Sequence, residues 1–88
     1  MKEVTIEVKS VKGYCSAGYK PGDKLTFRDP VVTAVDGKPV CLYALAGLIP
    51  YLAAFGRDTD QNDWINKIQE LQCPDPVNTV VFSLKRSD

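Results

Sequence analysis

Residues 4–9 alternate without a break: Val4, Ile6 and Val8 fall on one side, Thr5, Glu7 and Lys9 on the other. A period of two predicts a half-buried strand with one face to water. The same pattern returns near the end of the chain. Val80, Phe82 and Leu84 oppose Val81, Ser83 and Lys85, so a last strand is expected over 79–85. Between them, Leu25 and Phe27 mark a second strand over 24–28, and 31–35 reads as a short extended piece. Turn formers separate these runs. Pro21-Gly22-Asp23 reads as a tight turn and Asp36-Gly37 as another, with glycine supplying the positive φ.

The period changes after residue 39. Residues 40–49 are apolar on nearly every face and predict a helix starting near Pro39, a residue suited to the first helical turn. Pro50 is expected to end or kink it, with a second helical segment over 51–55 closed by Gly56 at C′. Farther on, Trp64, Ile65, Ile68 and Leu71 recur as one apolar stripe, which predicts a further helix. Thr59 or Asp60 would cap it, Asp63 would sit in its first turn, and Pro74 would end it.

Strands and helices in this order predict an α+β fold. The expected form is a small, mainly antiparallel sheet of three to four strands with two or three helices on one face. The inward set is Val4, Ile6, Val8, Leu25, Phe27, Val80, Phe82 and Leu84 from strands, with Leu45, Leu48, Trp64, Ile68 and Leu71 from helices. A chain of 88 residues holds one core, so residues 1–88 read as a single domain. So small a core cannot cover every face of the apolar helix. A homo-oligomer with that helix at the contact is therefore expected; the alternative is a monomer whose 10–23 loop folds over it.

Charge and composition narrow the function classes. Eleven Lys and Arg balance eleven Asp and Glu, which argues against nucleic acid as a partner, because binding by counterion release needs a basic excess. The apolar run 40–55 is short for a membrane span and no secretory signal is visible, so neither a membrane nor export is expected. The chain has no histidine, which removes its own imidazole as a base or a metal ligand. No phosphate-binding glycine loop of the P-loop or dinucleotide type is present. Whether the protein is an enzyme stays open, and no catalytic residue is assigned.

The remaining chemistry is sulfur. Cys15, Cys41 and Cys73 each sit at a junction between elements, and an odd count of three does not suit a disulfide framework. A reducing cytoplasm with free or metal-bound thiols is the simplest compartment. If the first and last strands pair antiparallel, Cys15 comes near Cys73, and a helix N-terminus at the same edge adds Cys41. Thiolates gathered at a helix N-terminus suit zinc, copper(I) or another thiophilic metal, or an iron–sulfur cluster. A fourth ligand is not obvious; Asp75, Asp23, the Tyr19 phenol, water or a small-molecule substrate are the candidates. The alternative is plain packing, since free cysteines are commonly buried. Beside the cysteines, Tyr14, Tyr19 and Lys20 form a loop read as exposed and able to meet a small-molecule ligand or partner. Trp64 reads as a core anchor. Asp58, Asp60 and Asp63 read as capping and solubility charges.

Cys15-Ser16-Ala17-Gly18-Tyr19-Lys20-Pro21-Gly22-Asp23 resembles the C-x-x-G-H-K-x-G-D signature of a family of small uncharacterised bacterial and archaeal proteins. In that family a second cysteine opens an apolar helix ending in Pro-Tyr, and Cys-Pro-Asp-Pro precedes a terminal strand. Cys41, Pro50-Tyr51 and Cys73-Pro74-Asp75-Pro76 are similar to these features, in order. The resemblance implies that the three cysteines belong to one functional thiol cluster. It brings no reaction with it. Two positions depart from the pattern: Tyr19 stands where the family has His, and Leu42 where it often has Pro. A Cys/Cys/Cys/His metal centre would lack its nitrogen ligand here.

Overall fold

The computed structural model describes residues 3–87. Strands β1 (Glu3–Val11), β2 (Lys24–Arg28) and β3 (Val31–Ala34) are followed by a 3-10 turn at Val35–Gly37 and helix α1 (Leu42–Phe55). A second 3-10 turn (Trp64–Lys67) leads into β4 (Glu70–Gln72) and β5 (Val80–Ser87). The sheet order is β3-β2-β1-β5-β4, antiparallel at every step. The first and last strands are thus neighbours in the interior of the sheet. Such pairing is favoured because both carry strict alternation, so one register aligns both apolar sets.

The register does this from Glu3 to Val8 of β1. Ile6 faces Leu84 and Val8 faces Phe82, while on the other side Val4 faces Phe27 and Ile6 faces Leu25. All eight strand residues expected inward are buried. They join Ala44, Leu48, Leu52 and Phe55 of α1 and Ile65 in one core. Each fully buried side chain of this size contributes about 1.5–3 kcal/mol of transfer free energy. The opposite face is polar: Glu7 pairs with Lys24, and Lys9 with Glu70. A bulge between Val8 and Ser10 shifts the β1–β5 register just before the strand ends, which redirects the chain into the loop that follows.

The α+β class holds, but the element counts differ from expectation. The sheet has five strands, and among the described residues there is one α-helix with two 3-10 turns. The stripe Trp64, Ile65, Ile68, Leu71 does not make a helix. Ile65 and Ile68 lie three apart, the period of a 3-10 turn, and Leu71 follows in a strand. The free edge of β5 decides the matter: Leu71 pairs with Phe82, and Cys73 N–H donates to the Val80 carbonyl. Asp63 caps the turn by accepting from the Ile65 amide. Trp64 is 59% exposed rather than a core anchor, its ring edge-on to Tyr51 at 6.2 Å. Leu45, Ile68 and Leu71 are half-buried.

Helix α1 also departs from expectation. It begins at Leu42, with Cys41 as N-cap, and not near Pro39. It runs unbroken through Pro50 to Phe55. Pro50 lies on the exposed side, where water can satisfy the carbonyl that its missing N–H leaves free. Gly56 closes the helix in right-handed geometry (φ −79°), its N–H bonded to Leu52 O, so no left-handed cap forms. Gly47 permits close approach to the sheet. A Cβ there would stand 2.7 Å from the Gln72 carbonyl oxygen of β4. No helix among the described residues is long and apolar enough to cross a membrane.

Candidate functional site

Three segments meet beyond the ends of β1 and β5: the 12–23 loop, the first turn of α1 and the 73–79 loop. A cavity of about 370 Å³ lies between them. Cys15 from the first segment, Cys41 from the second and Cys73 from the third all line it. Each cysteine is free and half-buried. Antiparallel pairing of β1 with β5 is what brings Cys15 across to Cys73, and the start of α1 adds Cys41. The Cys73 amide donates to the Val80 carbonyl, and the Cys41 amide to the Tyr19 hydroxyl.

Tyr19 is the keystone of this region. Its phenol is buried, 5% exposed, with its ring edge-on to Phe82 at 5.9 Å. The hydroxyl donates to the Pro39 carbonyl at 2.9 Å and accepts from the Cys41 amide at 2.8 Å. One oxygen thus ties the loop to the segment that enters the helix. Burial pushes its pKa above the ordinary tyrosine value; the Cys41 amide bond opposes this, and negative charge at Cys41, Cys15 and Asp23 adds to the rise. Sequence reasoning took Tyr19 for an exposed contact residue. The correction follows from its aromatic body filling the core while its one polar atom finds two partners.

The 73–79 loop is locked by its own polar side chains. Asp75 Oδ1 accepts from the amides of Val77 and Asn78, which holds its carboxyl below the usual range. The Thr79 hydroxyl donates to the Asp75 carbonyl. Asn78 Oδ1 accepts from the Tyr14 amide at 2.9 Å, joining this loop to the first. Gly13 makes that junction possible: its φ is +79°, and a Cβ there would meet Asn78 Oδ1 at 2.4 Å. Asn78, Tyr43 and the Pro39 carbonyl were missed by sequence reasoning. The Asp75-to-Asn78 spacing was the available signal, since Asp readily bonds amides two and three residues on.

The other anticipated residues divide. Tyr14 is 73% exposed and lines the cavity with Tyr43, and Asp75 lies on its wall. Lys20 and Asp23 do not line it. They close the Pro21-Gly22 turn, where the Lys20 amide donates to Asp23 Oδ2 and Lys38 stands 3.8 Å from Oδ1. Among the described residues, no three or more Cys, Asp or Glu side chains stand close enough together to hold one metal ion. That applies equally to Asp58, Asp60 and Asp63. The chain matches no protein-family model, no curated protein and no solved structure.

Proposed function

We propose that the protein is a small binding domain that captures a thiophilic ligand, a thiol-reactive small molecule or a soft metal ion taken by no more than two of the thiols, in the cavity lined by Cys15, Cys41 and Cys73. The observation that carries this reading is that cysteines from three separate segments line one cavity. Its volume of about 370 Å³ lies within the range typical of small-ligand sites. No Lys or Arg is among its lining residues, so nothing there favours an anion. The resemblance of all three cysteine positions to one family's motifs points the same way. Free thiols of this kind persist in a reducing compartment such as the cytoplasm.

The test compares thiol labelling in folded and urea-unfolded protein, with zinc, cadmium or silver added in turn. At least one ion is expected to protect one or two thiols better in the folded state. Equal labelling of folded and unfolded chains with every ion would leave the cysteines as packing residues.

The outer side of α1 favours a second reading alongside the first, self-association. Leu42, Tyr43 and Ile49 are 73%, 67% and 60% exposed, and with Ala46 and Pro50 they form one uncharged helical stripe. The 12–23 loop bonds to the segment entering α1 through Tyr19 and leaves this stripe uncovered. A second copy of the chain, packed stripe to stripe, would cover it. Light scattering at rising concentration is expected to show a dimer that Ile49→Lys disperses. A monomer throughout would remove this reading.

A further inference from the structure

We infer that this cavity selects for positive charge, and that its thiol-reactive ligand is a disulfide carrying alkylammonium groups. This rests on the thiol reading above and names the class of the ligand; one reactive thiol suffices for it.

The lining sorts by charge. Among the described residues that line the cavity, Asp75 alone carries a formal charge. It is exposed, and its Oδ1 accepts from the Val77 and Asn78 amides, which favours the ionised carboxylate. Tyr14 and Tyr43 line the same cavity and are 73% and 67% exposed, so both rings belong to its open side. The face of an aromatic ring attracts a cation through its quadrupole. A carboxylate in the same lining as two such rings favours an ammonium group and disfavours a second carboxylate. Lys12, a basic residue of the first loop, is exposed and lies outside the lining. The chain as a whole has no net charge, so its surface at large draws in neither sign and any selection is local.

The cysteines then supply the chemistry. A cavity thiolate attacks one sulfur of the disulfide; a new S–S bond forms as the old one breaks. The amine-bearing thiolate that leaves takes up the proton given by the cysteine. The cysteine is oxidised to a mixed disulfide and the departing half of the ligand is reduced to a thiol. The captured half keeps its ammonium group inside the cavity that Asp75 lines. In a reducing compartment the same exchange run backwards releases it.

The experiment treats the reduced full chain, folded and in urea, with cystamine (dicationic), hydroxyethyl disulfide (neutral) or dithiodiglycolate (dianionic) and follows adducts by intact mass. Dividing each folded rate by the unfolded one removes the intrinsic reactivity of the reagent. This ratio is expected to be highest for cystamine, by about 5-fold over the neutral reagent, and lowest for the dianion. Asp75→Asn keeps an Oδ1 acceptor for the loop amides, and Tyr14→Leu with Tyr43→Leu keeps apolar area. Each should lower the cystamine preference by about 2-fold or more. Choline, a quaternary ammonium without reactive sulfur, should slow cystamine capture by the unsubstituted chain, and the alcohol in which carbon replaces its nitrogen should not. Equal ratios for the three reagents would overturn the charge selection and leave the thiol reading standing. A cystamine preference that survives both sets of substitutions and ignores choline would overturn its assignment to this cavity. If the unfolded chain is modified and the folded chain takes no adduct from any reagent, the thiol reading itself fails.

Discussion

In β1 and β5 the side chains of Val4, Ile6, Val8, Val80, Phe82 and Leu84 are buried in one core with residues of α1, whereas just past the ends of these strands the chain is held by a few side chain–backbone bonds. The first region is stabilised by apolar area and a continuous backbone ladder. The second depends on the Tyr19 hydroxyl, the Asn78 amide group and the Asp75 carboxylate. Its three sulfurs remain half-buried. A sheet core tolerates no ligand, because it is already packed and has no unpaired chemistry. The rim is ordered enough to hold thiols in one place and open enough to let something reach them. Core packing and thiol exposure thus fall on different parts of the molecule.

Substitutions can break this division or sharpen it. The largest effect is expected in the core: Phe82→Ala should destabilise the fold by about 3–5 kcal/mol, read from urea denaturation. If thiol accessibility changed without that loss, the two regions would not be separable. Next, Tyr19→Phe removes the oxygen shared by Pro39 and Cys41. Leaving those backbone groups without their partner should cost about 1–3 kcal/mol and expose Cys41 to faster labelling.

The same phenol predicts a pH dependence. Its folded pKa is raised, so its contribution is fully present below the ordinary tyrosine value of about 10. That contribution is lost as pH rises through the folded value, and Tyr19→Phe should flatten this part of the alkaline unfolding profile. An unchanged profile would mean that another group controls it.

Gly13→Ala tests the junction between the two loops. The positive φ and the clash with Asn78 should together cost about 1–3 kcal/mol, with the loss confined in hydrogen exchange to the 12–23 and 73–79 loops. The smallest effect belongs to the polar face of the sheet. Glu70→Gln breaks the exposed pair with Lys9 and should change stability by less than about 1 kcal/mol, with no effect on thiol labelling.

The site was legible only in part. That Cys15 and Cys73 come together could be argued from two alternating strands paired antiparallel, and Cys41 from the onset of an apolar run. Tyr19 was not legible as a buried tie, since nothing in a glycine-rich loop tells whether an aromatic turns inward or outward. Lys20 and Asp23 share a motif with Cys15 but serve the turn and not the cavity.

Local pattern alone was enough to identify β1, β2 and β5, their inward faces and the turns at Gly22 and Gly37. A period of two with one apolar face has a single good solution, and positive φ is most easily met by glycine. Tertiary context assigned the rest. Residues 64–72 carry a stripe that fits a helix, and they became a 3-10 turn and a strand because β5 offered an open edge. Helix α1 crosses Pro50 because that residue faces water. The cavity exists because three segments, each unremarkable alone, end at the same rim, a relation that depends on pairing between residues about 70 positions apart in the chain.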